Sequence, residues 1–261
     1  MQIGIVGLPF TGKTTVFNAL TGLSAPTGKY VETKGETNRG VVHVPDARLD
    51  RLAEVFKPKK ITHAAIEFCD VGGFKKGASQ DSGLSANLLA QLRDVDALAL
   101  LIRIFERDSV PHPENKIEPV ADLMTLCMEL SLADLSVAEK RIEKVNERLR
   151  KGIQEEKDKL TLEKKTLERA IEALHSERPI RSLHLSHEEE LSIRGFGFLT
   201  QKPALVLANA GDFTTAVEQE RIAALKPVCD STGLKMLALN GDLECELRLI
   251  EDPVEQEEYI K

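Results

Sequence analysis

Gly7-Leu8-Pro9-Phe10-Thr11-Gly12-Lys13-Thr14 follows the apolar run Ile3 to Val6 and has the spacing G-x-x-x-x-G-K-[ST]. A short buried strand delivers the chain to a glycine-containing turn, and the stretch from Lys13 to Leu20 opens a helix. The unpaired amides at the start of such a helix point back at the turn and make it an anion cradle. Gly7 and Gly12 let the backbone curl round a phosphate, so Pro9, Phe10, Thr11, Gly12, Lys13, Thr14 and Thr15 are the expected phosphate-binding residues. Lys13 reaches the β- and γ-phosphates, and the Thr14 hydroxyl is placed to ligate a Mg²⁺ between them. The pattern predicts nucleoside triphosphate binding.

The segments after this unit alternate between strand and helix. Gly22 to Gly35 reads as a mobile loop. Gly40 to Val44 and Ala64 to Cys69 read as strands, with a short helix over Pro45 to Phe56 whose apolar residues fall at 49, 52, 55 and 56. Helical spacing recurs from Asp81 to Asp94, and Ala97 to Ile102 is a continuous apolar run, as in a parallel sheet covered on both faces. From Val120 to about Arg150, and again from about Glu155 to His175, long charged helices carry stripes at Leu126, Leu130, Ala133 and Val137, then Leu160, Leu167, Ile171 and Leu174. Separated near Gly152, they predict an antiparallel helical hairpin, a coiled-coil arm. Strand patterns resume at Ala204 to Ala208 and Lys235 to Leu239, with a helix over Val217 to Cys229 between them, and Asp242 to Lys261 reads as helical. The expected fold is α/β, a doubly wound and mostly parallel sheet interrupted by the hairpin. The expected division is 1–119, then the insertion 120–195, then 196–261.

The 261 residues suffice for a sizeable core. The four cysteines are widely spaced with no C-x-x-C pair, so neither a zinc site nor a disulfide framework is expected. Met1 leads directly into the first strand and no apolar run has membrane-spanning length, which predicts a soluble cytoplasmic protein with no membrane partner. A net charge of −7 argues against the whole chain being a nucleic-acid surface, and no specific DNA partner is expected. Between Glu139 and Arg169, however, eleven basic residues face eight acidic ones, and this part of the arm could meet RNA or an acidic partner.

Four further positions carry chemistry. Asp70-Val71-Gly72-Gly73 follows a strand, where Asp70 can hold Mg²⁺ through water and the Gly73 amide can sense the γ-phosphate. The next residue, Phe74, cannot orient a water as a glutamine would. His112, in the proline-containing loop after the fourth strand, either swings in as a water-orienting group or sits as an exposed loop histidine. Asn209-Ala210-Gly211-Asp212 lies where guanine-specific sites carry N-K-x-D, with Ala210 in place of the lysine. At Leu239-Asn240-Gly241 backbone amides would meet the base, unless Asn and Gly simply form a turn.

With these positions in order, the chain resembles the YchF/Obg-like ATPase family, an Obg-related branch of the P-loop GTPases. The resemblance runs from Met1 nearly to Lys261. It rests on Gly4 to Pro9 with Gly12 to Thr21, on Gly40 to Val42 with Val44 to Asp50, and on Lys76 to Ser79. Leu130 to Leu135, Phe198 to Thr200 and Lys202-Pro203 add to it. It implies a P-loop NTPase G domain interrupted by a coiled coil, hydrolysing ATP and sometimes GTP slowly with Mg²⁺, and associating with ribosomes or other large partners. Family members carry a hydrophobic residue at the place of Phe74, a histidine at that of His112, and a base motif N-x-x-E where this chain has Asp212. Phe10 replaces a family asparagine. The first-switch threonine aligns near Lys34, so Thr33 or Thr37 would supply that Mg²⁺ contact. The family's C-terminal TGS domain has no counterpart in this sequence.

Two functions follow. One is a slow nucleotide-dependent switch with Lys13, Gly73 and His112 as catalytic residues and the arm as partner surface. The other is a hydrolysis-deficient nucleotide-binding protein signalling through its arm.

Overall fold

The computed structural model describes residues 1–25, 38–72, 86–112, 116–151, 156–211, 213, 215–250 and 252–260. Most of the expected switch segments, including Thr33, Lys34, Thr37, Gly73 and Phe74, lie outside the described residues, as does Asp212.

Six strands form one sheet: β1 (Gln2–Gly7), β2 (Asn38–His43), β3 (Ala65–Asp70), β4 (Ala97–Arg103), β5 (Ala204–Asn209) and β6 (Lys235–Leu239). Their order is β2-β3-β1-β4-β5-β6, with every pair parallel except the β2-β3 edge. The chain winds from β1 to one edge, then crosses to β4 and winds to the other. The carboxyl ends of β1 and β4 therefore border the crevice where open α/β sheets bind ligands.

Continuous apolar strands are explained by two covered faces, because alternate side chains point to opposite sides. Val6, Leu98, Leu100, Ile102, Val206 and Ala208 join one core. Ile5, Ala99, Leu101 and Leu207 join another with Val16 and Phe17 of α1 (Lys13–Thr21). Leu101 and Ile102 are fully buried, and burial of each such side chain stabilises by roughly 1.5–3 kcal/mol. The first core is closed by α3 (Ala86–Asp94), the start of α4 (Pro119–Arg150) and α7 (Ala216–Thr232).

One amphipathic helix behaves differently. In α2 (Ala47–Phe56) no residue is buried, and Leu52, Val55 and Phe56 are exposed. Asp46 caps its start by accepting from Arg48 N, so the helix is defined locally rather than by packing.

The hairpin is α4 with α5 (Lys157–His175). Leu123, Leu126, Leu130 and Ala133 of α4 pack into the first sheet core, so much of the stripe read as a coiled-coil seam is G-domain packing. From Ala138 onward α4 packs with Leu167, Ala170 and Leu174 of α5, Ile180, Ile193 and Phe198. Ile193 ends α6 (His187–Ile193), which starts on a reciprocal Ser186/Glu189 capping box. Within the hairpin Arg141 grips Glu163 with two bonds of 2.5 and 3.0 Å. At its root the fully buried Asp134 accepts from Leu199 N, Thr200 N and Thr200 Oγ1 at 2.9, 2.7 and 2.8 Å. Two short helices, α8 (Gly241–Leu247) and α9 (Pro253–Ile260), end the described chain.

Candidate nucleotide site

The phosphate loop links β1 to α1. A Cβ on Gly7 would lie 2.5 Å from the Leu101 carbonyl oxygen, and one on Gly12 would lie 2.4 Å from Asn209 Nδ2. Gly12 also has φ +89°. Packing therefore requires both motif glycines before any ligand arrives. No side chain caps α1 at Gly12, which leaves its first turn to the loop. Phe10 adopts φ +62° without being glycine, a strained conformation, and its ring is exposed. Pro9 is half-buried beside it, Thr11 is buried and bonds the Leu8 carbonyl at 3.0 Å, and Thr15 is half-buried in α1.

Lys13 folds over the loop, donating from Nζ to the carbonyls of Gly7 and Leu8 at 3.2 and 2.9 Å. Burial pulls its pKa down to about 8, with the charge of Asp70 opposing the shift. Thr14 Oγ1 donates to Asp70 Oδ2 at 2.8 Å, and Asn38 Nδ2 approaches the same oxygen at 3.4 Å. The hydroxyl and buried carboxylate form a hard-oxygen pair of the kind that could hold Mg²⁺.

Across the crevice, Asn209 is buried and bonded through both its amide nitrogen and its amide oxygen. Its Nδ2 donates to the Thr11 carbonyl at 3.0 Å and its Oδ1 accepts from Gly241 N at 3.0 Å. It bolts the phosphate loop to the two base-side loops. Ala210 is buried in the core, and its amide donates to the Leu239 carbonyl at 2.8 Å. Asn240 caps α8, accepting from Asp242 N and Leu243 N, and its Nδ2 donates to the Gly211 carbonyl. The Asn240 side chain is thus engaged in the turn that starts α8.

Sequence reasoning passed over three residues here. Phe105 packs beside both loops: its ring lies 3.9 Å from where a Cβ on Gly12 would stand, and its Cβ 3.2 Å from one on Gly211. The guanidinium of Arg103 lies 4.4 Å from the ring centroid. Arg103 is itself fully buried at the end of β4, donating to the carbonyls of Phe105, Val110 and Pro111 at 3.1, 3.0 and 3.1 Å. Glu218, buried in the first turn of α7, accepts twice from Gly211 N, at 3.0 and 3.1 Å. The spacing Thr215-x-x-Glu218 reads as a capping box, so this longer reach had no local signal.

His112 is not an exposed loop histidine. It is buried, with Nε2 3.3 Å from Oδ2 of the buried Asp122 in the first turn of α4. The four cysteines are free. Among the described residues no cluster of metal-ligating side chains is present and no helix is long and apolar enough to cross a membrane.

A glycine-lysine-threonine loop between β1 and α1, faced by an aspartate ending β3 at the carboxyl edge of a mostly parallel sheet, defines a P-loop nucleotide-binding G domain. The family model described as "50S ribosome-binding GTPase" matches residues 2–165. The "Ribosome-binding ATPase YchF" of Bacillus subtilis is 35% identical over 259 residues, covering 98% of this chain and 69% of the relative. That of Haemophilus influenzae is 36% identical over 255 residues, covering 94% and 69%. The solved structure of the Schizosaccharomyces pombe YchF GTPase superposes with a TM-score of 0.76 at 28% identity, covering 99% of this chain and 70% of that one. The chain belongs to the YchF family.

Proposed function

We propose that the chain binds a purine nucleoside triphosphate with Mg²⁺ and slowly hydrolyses its β-γ phosphoanhydride, acting as a nucleotide-dependent switch that associates with the ribosome. The carrying observation is the preformed phosphate end, where Lys13 covers the glycine loop and Thr14 meets Asp70 at 2.8 Å. Mg²⁺, when bound, neutralises charge on the β- and γ-phosphate oxygens. Thr14 would hold it directly and Asp70 through water, with Thr33 or Thr37 as a further ligand. Lys13 moves from the Gly7 and Leu8 carbonyls to the phosphates. Gly73 senses the γ-phosphate, and His112 orients the attacking water once it leaves Asp122. The arm, residues 120–195, is the partner surface, and the relatives' name, ribosome-binding ATPase, supports the ribosome as partner.

For the base we propose ATP as substrate with weak selection against GTP. A lysine stem is missing at Ala210, and the amides of Asn209 and Asn240 each give one N–H to the frame. Among the described residues on this side Phe105 offers a ring that would stack on any purine. Calorimetric titration of nucleotide-free protein with ATP and GTP in Mg²⁺ tests this. The expected Kd values lie within about tenfold, or ~1.4 kcal/mol; a GTP preference of a hundredfold would overturn it and return base recognition to Asp212.

The burial of His112 favours a second reading, a nucleotide-binding interaction protein without useful hydrolysis. Phosphate release at background under saturating ATP, with binding intact, would select it.

A further inference from the structure

We propose that Asp122 is a positioning residue that stows His112, so that the first turn of the arm helix controls whether the histidine can serve the phosphates. This rests on the reading of His112 as the water-orienting group.

The side chains of His112 and Asp122 are only 5% and 6% exposed, and Nε2 of the ring is turned to the carboxylate. In that pose the histidine cannot orient a water on a phosphate outside the core, so it must first part from Asp122. The stem of the loop that carries it is fixed, because Arg103 at the end of β4 binds the carbonyls of Phe105, Val110 and Pro111. The contact that stows the ring comes from a different element, α4, which runs unbroken from Pro119 to Arg150 and becomes the arm. Asp122 N donates to the Glu118 carbonyl at 2.9 Å, so the carboxylate moves with the first helical turn. A partner that shifts α4 thereby changes the fraction of molecules with a free histidine, and turnover follows that fraction.

The test is phosphate release by Asp122→Asn, which keeps the shape and removes the charge, alongside His112→Ala and the double variant. Asp122→Asn should raise kcat about fivefold with ATP affinity unchanged, as expected when a competent minor state is released. The double variant should fall to the level of His112→Ala. A folded Asp122→Asn with unchanged or lower kcat would overturn the stowing, and so would a rise that survives loss of His112. Parental turnover in His112→Ala would instead remove the histidine's own role, a separate failure. If Asp122→Asn does not fold, the parent protein still decides. His112 Nε2 should lie within hydrogen-bond distance of Asp122 in crystals of nucleotide-free protein and be parted from it in crystals grown with ADP, Mg²⁺ and fluoroaluminate; contact in both states overturns the proposal.

Discussion

The two ends of the nucleotide site are made differently. At the phosphate end the working groups are local: a loop, the helix that follows it, and one carboxylate across a parallel strand pair. At the base end the side chains expected to touch ligand also hold loops together, with Asn209 reaching Thr11 and Gly241, and Asn240 reaching Gly211. Phosphate recognition can be carried by backbone shape and one lysine. On the proposed reading, base recognition in this chain is a by-product of a frame, and such a frame would tolerate either purine.

Lys13→Ala should break the phosphate end outright: ATP turnover falls to background, at least about a hundredfold, in a phosphate-release assay, while the thermal melt of the free protein stays cooperative. Asn209→Ala sharpens the contrast, because it orphans the Thr11 carbonyl and the Gly241 amide together. Its main effect should be on stability, a loss of about 2–4 kcal/mol read by denaturant melts; a stable variant with only weakened nucleotide binding would show that the amide serves the ligand instead. Phe105→Ala should weaken ATP and GTP alike by about tenfold with kcat little changed, and unequal losses would show that the ring selects a base.

The smallest effect concerns the proton on Lys13. Burial holds its pKa at about 8 in the free protein, against about 10.4 in an unfolded chain. Between these values the unfolded state binds more protons, so this group's contribution to stability rises with pH through that window and is lowest below pH 8. Triphosphate favours the charged lysine, so ATP binding near pH 8.5 should take up a proton. Calorimetry in two buffers of different ionisation heat detects it, and Lys13→Met should abolish the difference.

The phosphate loop was legible because its glycines, lysine and helix start are adjacent in the chain. The strands were legible because continuous apolar runs mean cover on both faces. Spacing gives the face of a helix but not its neighbour, and Leu126, Leu130 and Ala133 show the limit: read as a hairpin seam, they pack against the sheet. In α2 the same periodicity marks a face that nothing among the described residues covers. Asn209 was visible as a base-site residue, but its contact to Thr11 spans 198 positions, beyond any local pattern. The partnership of His112 with Asp122 was equally hidden, since a loop histidine ten residues before an aspartate carries no periodicity.

The three bonds on Asp134 anchor the root of the arm, and under the proposed stowing that anchor would serve as a pivot. From that residue to Arg150 the helix extends about 24 Å, and from it back to Asp122 about 18 Å. A rocking of the rod that carries its tip 3 Å one way would carry Asp122 roughly 2 Å the other way. That stroke is of the order of a hydrogen-bond length. Geared in that way under the proposed stowing, the arm would act as a seesaw, and a push at its far end would reach the histidine little diminished and reversed in direction.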